Sequence, residues 1–276
     1  MPPSDKKYRL TRLAPTPSGY LHLGNAYSFL VTAALAGDYG AEILLRIDDM
    51  DRERKELRYV HDIFDTLHFL NIEWTRGPAS ASDFEQNFSQ AHRLPVYNKL
   101  LERIVASGRV YACKCSRSVL AANHGKCRCR PLNLDLEAPG NLWRLDTGGA
   151  DEMDVLTLKG QVRKTFPSEM ENFIVRKRDG FPSYQVCSLA DDVFFGVDLI
   201  VRGEDLWPST LAQLYLARLT HTESFLNTTF HHHTLLMNAA GEKLSKSKGD
   251  TSVKYWREKG KTRKEILAMI SHLKGN

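Results

Sequence analysis

The chain has 276 residues, 42% of them hydrophobic and 26% charged, with a formal net charge of +5. That length supports a sizeable buried core, and no apolar run approaches the roughly 20 residues that a membrane-spanning helix needs. Residues 1–7 are polar with no apolar signal core behind them, so the sequence places the protein in the cytoplasm with no membrane partner, and its mild positive charge fits a phosphate-rich partner without requiring one.

In chain order, residues 8–14 read as a first strand. Pro15, Pro17 and Gly19 then force the backbone to turn. Residues 24–38 have a helical pattern, with Phe29, Leu30, Ala33 and Ala34 on one side and Gly40 as the stop. Residues 42–47 form a nearly continuous apolar run, which suits a buried parallel strand. Strand, helix, strand is the unit from which α/β folds are built. Leu57, Val60, Phe64 and Leu67 mark an amphipathic helix, on which His61 and His68 read as helix-face residues. Another helix runs over 95–107 and stops at Gly108.

Residues 131–164 are polar with weak periodicity. Strand signals return at 173–176 and 198–201, which read as members of the same sheet, followed by a helix over 211–219. A lysine-rich loop over 243–249 and a last helix near 262–273 complete the chain. The expected organisation is a Rossmann-like α/β domain in two halves, 1–105 and 169–237. An α+β insertion over 106–168 interrupts it, and a loop-and-short-helix segment over 238–276 follows. Ligands of such folds bind where the strand order reverses.

Four of the five cysteines crowd together: Cys113, Cys115, Cys127 and Cys129. Clustered cysteines in a cytoplasmic chain point to metal rather than disulfides, and four thiolates suit a closed, structural zinc site in the insertion. His124 stands between the pairs as a possible substitute ligand. Lys114, Arg117, Lys126, Arg128 and Arg130 flank the cluster and could meet RNA phosphates. Cys187 lies alone in an apolar stretch and reads as core packing.

Two segments carry the chemistry. In 14–25 a loop empties into a helix N-terminus, where free N–H groups and the helix dipole favour phosphate. Gly24 permits close approach of a nucleotide, and His22 stands ready to donate to it. In Lys243-Leu244-Ser245-Lys246-Ser247, two lysines can close on a triphosphate and neutralise developing charge. Together, in this order and at this separation, they resemble the HIGH and KMSKS signatures of class I aminoacyl-tRNA synthetases.

The resemblance narrows to the glutamyl-tRNA synthetase family. Arg12-Leu13-Ala14-Pro15-Thr16-Pro17-Ser18-Gly19 resembles the family's R-F-A-P-S-P-T-G, and Arg46-Ile47-Asp48-Asp49-Met50-Asp51 its R-I-E-D-T-D. Phe181-Pro182-Ser183-Tyr184, leading to Asp191-Asp192, resembles a P-T-Y-H segment with paired aspartates. Val201-Arg202-Gly203-Glu204-Asp205 resembles V-I-R-[AG]-E-[DE].

The resemblance implies a glutamate pocket of Arg12, Ala14, Thr16, Asp48, Tyr184 and Arg202. In it the two guanidinium groups would hold the side-chain carboxylate and Asp48 the α-amino group. It implies ATP on His22, Gly24, Asn25, Leu235, Leu236, Lys243 and Lys246, with His22, Lys246 and Mg²⁺ at the phosphates. Asp48 stands where the family has Glu, as in the related glutaminyl enzymes, and Gln185 replaces the histidine that follows the family's tyrosine.

The C-x-C pair resembles the short glutamyl-Q tRNA(Asp) synthetases. In those a tyrosine four residues before the last cysteine completes the zinc site. Here Asn123 and Gly125 hold the candidate places, so Cys129 or His124 would take over. Little chain follows Gly249, which leaves no room for an anticodon-binding domain. The expected reaction is therefore transfer of glutamate to queuosine of tRNA(Asp), by a monomer using ATP, Mg²⁺ and Zn²⁺. The alternatives are a minimal enzyme charging the tRNA acceptor end, a silent zinc-dependent RNA-binding module, and another nucleotidyltransferase. The module predicts damage at His22 or in the lysine loop. The last would not need Arg12, Asp48, Tyr184 and Arg202 in register.

Overall fold

The computed structural model describes residues 6–123, 126–237 and 252–274. Along the chain lie β1 (Leu10–Leu13), α1 (Leu23–Tyr39), β2 (Glu42–Leu45), α2 (Leu57–Phe69) and α3 (Ala81–Asp83). There follow α4 (Leu94–Ala106), β3 (Val110–Cys113), α5 (Arg117–Ala122), β4 (Leu142–Leu145), β5 (Glu152–Thr157), β6 (Gly160–Thr165) and β7 (Ile174–Arg176). The remainder are α6 (Tyr184–Phe195), β8 (Leu199–Gly203), α7 (Trp207–Leu219), α8 (Glu223–Leu226), β9 (Thr229–His233), α9 (Val253–Glu258) and α10 (Arg263–Lys274). Among the described residues no helix is long and apolar enough to cross a membrane.

The chain divides into two compact units. The first comprises residues 1–92, 197–206 and 228–276; the second comprises 93–196 and 207–227.

In the first unit β1 pairs with β2 in parallel, from Leu10 opposite Glu42 to Leu13 opposite Leu45. Strands β8 and β9 also pair in parallel, from Leu199 opposite Thr229 to Gly203 opposite His233. The two pairs meet at β1 and β8. Asp198 N–H donates to Leu10 O at 3.1 Å, and the Asp198 carboxylate accepts the N–H groups of Arg9 and Leu10. Strand order thus reverses between β1 and β8, which opens a crevice at their C-terminal ends.

Helix α1 packs under this sheet through Leu23, Ala26, Tyr27 and Phe29, in one core with Val60, Ile63, Phe64 and Leu67 of α2. Its end is set by Gly40 at φ 70°, a left-handed cap that glycine adopts without a Cβ penalty. Ile266 and Ile270 of α10 enter the same core. Each such burial contributes about 1.5–3 kcal/mol, so the chain beyond the lysine-rich segment is held against α1 and α2.

The second unit packs α4, α6 and α7 together through buried Tyr97, Leu100 and Ile104, Val186 and Leu189, and Leu211 and Leu214. Beside them stands an antiparallel sheet in the order β3-β4-β7, together with the β5–β6 hairpin.

The structure corrects one expectation. Segment 173–176 does not share a sheet with 198–201, because β7 joins β4 through Trp143 opposite Arg176 while β8 joins β9. The polar stretch 131–164, of weak periodicity in the sequence, holds β4 and β5 and most of β6. Strand β6 is exposed nearly throughout, so no buried face imposes the alternation by which strands are recognised. Helix α6 carried no sequence assignment because eight of its residues in a row are buried, which erases the polar face. His61 and His68 lie on the exposed side of α2, as expected, with His68 stacked on Trp74.

Candidate active site and metal centre

His22 is the N-cap of α1. Its Nδ1 accepts from Gly24 N–H at 3.0 Å and Asn25 N–H at 3.3 Å, while the Asn25 side chain accepts His22 N–H. This reciprocal cap satisfies helix-end donors. It also assigns the ring: a neutral imidazole that accepts at Nδ1 carries its proton on Nε2, which leaves a donor at the helix N-terminus. A cavity of ≈ 170 Å³ opens there, lined by His22, Gly24, Asn25, Gly203, Leu235 and Leu236 among others. A Cβ on Gly203 would lie 2.5 Å from Asp205 Oδ1 and 2.9 Å from Leu235 Cδ2, so a larger residue there would push these two side-chain ends aside.

The wall also includes Tyr27, Ser28, Asp205, Leu206 and His233, which sequence reasoning missed. Of these Asp205 had a signal as the last residue of the Val201–Asp205 block, and His233 as a neighbour of the expected adenine-binding backbone. Its Nδ1 lies 2.9 Å from Thr234 O, and burial lowers its pKa.

Arg12 and Arg202 are brought to the β1–β8 junction, both almost fully buried. Arg12 Nη1 donates to Val201 O at 3.0 Å, and the Arg202 guanidinium stands over the Phe230 ring at 5.7 Å. Ala14 and Thr16 follow β1 in a loop that runs beside residues 46–48: Arg46 N–H donates to Leu13 O and Asp48 N–H to Pro15 O. Asp48 is clasped by Arg46, with Nε to Oδ1 at 2.7 Å and Nη2 to Oδ2 at 2.9 Å, both side chains buried. That partner fixes the carboxylate's orientation, and the sequence did not reveal it. Tyr184 belongs to the second unit, as the first residue of α6, with 43% of its surface exposed.

Lys243 and Lys246 lie outside the described residues. The chain on either side of them reaches the site: Leu236 lines the cavity, and Ser252 pairs with His22. Leu21, next to His22, is held from two directions. Its N–H donates to Asp62 Oδ2 at 3.2 Å, and its carbonyl accepts Val253 N–H at 2.8 Å. Burial raises the Asp62 pKa against the pull of the Leu21 N–H and of Arg257, whose Nη2 is 3.6 Å from Oδ1.

In the second unit the four cysteine sulfurs all lie within 4.8 Å of one another. Cys127 Sγ is 3.3 Å from Cys113 Sγ and 3.8 Å from Cys115 Sγ, and Cys115 Sγ is 3.5 Å from Cys129 Sγ. Zinc–sulfur bonds of about 2.3 Å at tetrahedral angles put sulfurs about 3.8 Å apart, so the donor set fits one zinc ion. Burial pushes the Cys113 thiol up, but hydrogen bonds from Arg144, the Cys115 N–H and Cys127 outweigh it and hold the pKa down to about 7. Burial and the neighbouring sulfurs push Cys127 up to about 12. His124 lies outside the described residues, and Asn123 caps α5. Lys114, Lys126, Arg128 and Arg130 are exposed around the centre.

A family model described as tRNA synthetases class I (E and Q), catalytic domain, matches residues 10–133 and 149–274. The chain belongs to this family. It is 31% identical over 280 residues to a glutamate–tRNA ligase 2 of Syntrophus aciditrophicus, an alignment covering 95% of this chain and 56% of that protein. It is 29% identical to a glutamate–tRNA ligase of Thermodesulfovibrio yellowstonii, with the same coverage of each. The chain therefore spans about half the length of the curated relatives it matches.

Among solved structures it resembles a glutamate tRNA ligase from Elizabethkingia meningosepticum in complex with its amino acid, with a TM-score of 0.71 at 21% identity over 88% of this chain and 53% of that one. It also resembles a Mycobacterium tuberculosis methionyl-tRNA synthetase in complex with methionyl-adenylate, with a TM-score of 0.55 at 14% identity over 96% and 64%. At these identities the likeness shows the fold, that of a class I synthetase catalytic domain; the cysteine cluster is observed in this chain itself.

Proposed function

We propose that the chain activates L-glutamate with ATP and passes it to tRNA, with queuosine of tRNA(Asp) as the acceptor. A glutamate carboxylate oxygen attacks the α-phosphorus, the bond to the β-phosphate oxygen breaks, and pyrophosphate leaves. This reaction needs positioning and charge stabilisation more than proton transfer.

The observation that carries the reading is the pair of buried guanidinium groups, Arg12 and Arg202, on adjoining strand ends of the unit that holds the cavity at the N-terminus of α1. Two buried cations suit the side-chain carboxylate of glutamate and disfavour the neutral amide of glutamine. Ala14, Thr16, Asp48 and Tyr184 are assigned to the same substrate, with Asp48 on its ammonium group. The ATP phosphates fall to His22 Nε2–H, Lys243 and Lys246 at the positive end of α1, where Gly24 and Asn25 line the cavity, and the adenine to the backbone at Leu235 and Leu236. Bound Mg²⁺ supplies further neutralisation of the phosphates. Cys113, Cys115, Cys127 and Cys129 would hold zinc as a structural tie without an open position.

The C-x-C pair and its later cysteines support the queuosine acceptor. A second reading, transfer to the terminal ribose of tRNA, is favoured by the relatives, whose names are those of glutamate–tRNA ligases. The test is pyrophosphate release with ATP and each of the twenty amino acids, with and without bulk tRNA, followed by base-resolved mapping of attached glutamate. Label on a modified anticodon base is the expected result. Label on the terminal ribose would establish the second reading, and no activation of any amino acid would overturn both.

A further inference from the structure

Arg144 lies in β4, the central strand of the β3-β4-β7 sheet, and is 9% exposed. Its Nε donates to Cys113 Sγ at 3.4 Å, and its Nη1 donates to Asn172 O at 2.7 Å. Among the described residues no carboxylate comes within ion-pair distance of it. Asp146, two positions on, is engaged by Arg130. A guanidinium is always charged, and a buried charge without a counter-charge is strongly destabilising. The group beside Arg144 that can carry negative charge is the Cys113 sulfur.

The same problem arises from the metal's side. Four thiolates around one divalent cation leave two negative charges uncompensated, and Cys113 and Cys129 are buried. Lys114, Lys126, Arg128 and Arg130, which flank the cysteines in sequence, are exposed, so water and salt screen them. Arg144 is a cation placed inside, where screening is weak.

We propose that Arg144 is the charge-compensating and positioning residue of the four-cysteine centre. It aims the Cys113 sulfur at the ion and offsets one of the two surplus charges. The inference rests on the zinc reading of the cluster and adds an outer partner to it, of the kind that tunes metal sites. The fork geometry matters. One guanidinium reaches the sulfur and the Asn172 carbonyl together, which pins its direction, whereas a lysine offers charge without that second anchor.

The test compares the full chain with Arg144→Gln, Arg144→Lys and, as a control, Arg163→Gln, whose arginine pairs with Asp154 on the exposed hairpin. Zinc content is measured first, then zinc affinity by competition with a colorimetric chelator. The charge-transfer and d–d spectrum of the cobalt-loaded protein reports the ligand set, and far-UV circular dichroism reports folding. Arg144→Gln is expected to keep one ion and the four-thiolate cobalt spectrum but to bind zinc about 10- to 100-fold more weakly. Arg144→Lys should fall between, and Arg163→Gln should match the wild type. Wild-type zinc affinity in a folded Arg144→Gln protein would overturn the proposal. Should that variant not fold, Arg144→Lys decides, since weaker binding by a folded protein supports the proposal and unchanged binding overturns it. A wild-type chain that holds no zinc overturns the metal reading on which the proposal stands, a result distinct from the others.

Discussion

Gly24 donates its N–H to Nδ1 of His22 at 3.0 Å, and a Cβ on residue 24 would stand 2.9 Å from the same ring's Cε1. The glycine therefore serves the histidine directly. Gly24→Ala should displace the imidazole, cost about 1 kcal/mol through the weakened cap and raise the KM for ATP. His22→Asn should separate the two roles, because asparagine caps helices well but places no Nε2–H at the phosphates. We expect its thermal midpoint to stay near the wild-type value while pyrophosphate exchange falls by about two orders of magnitude. Calorimetry and exchange assays on both variants check this, and an active His22→Asn protein would refute the phosphate role.

Lys246→Ala should lower adenylate formation by about two orders of magnitude, as loss of one electrostatic stabiliser often does. The described flanks of its loop meet at the cavity, Leu236 in the wall and Ser252 beside His22. Single-turnover measurement with saturating glutamate reads the chemical step. A rate equal to wild type would remove the loop from the mechanism.

Asp191 is completely buried and accepts from Arg93 Nε at 2.7 Å and Tyr97 Oη at 2.8 Å. Removing one member of a buried ion pair strands the other charge. Asp191→Ala is therefore expected to destabilise the protein by about 3–5 kcal/mol, read as a lower urea midpoint. A loss under about 1 kcal/mol would mean that Arg93 finds another partner or water.

Asp62 has a pKa raised above its ordinary 3.8, with burial the largest cause. The sign follows from proton linkage. Between 3.8 and the raised value the folded state holds a proton that the unfolded state has released, so stability falls as pH rises through that window. Asp62→Asn keeps an acceptor for Leu21 N–H without a charge to bury. It should be at least as stable as wild type at pH 7, and its advantage should shrink as pH drops towards 3.8. Urea titrations of both proteins at the two pH values test it, and an advantage that grows on acidification would show the sign to be wrong.

Features made by neighbours in the chain were legible from the sequence alone. The β1-α1-β2 unit, the helix start just after His22 and the two C-x-C pairs are each local features, so local periodicity and side-chain chemistry suffice. The membership of Arg12 and Arg202 in one site was read through resemblance to a family rather than through spacing, since they meet only when β1 and β8 adjoin across 189 residues.

What the tertiary structure decided is which long-range partner each polar group takes. No spacing rule announces that Leu21 is held between Asp62 and Val253 or that Arg144 turns to Cys113. Strands such as β6, with hardly a buried face, and helices such as α6, with a run of buried residues, lack the one-sided pattern that sequence reading needs. Buried charges settle their partners by desolvation, and desolvation exists only once the chain has packed.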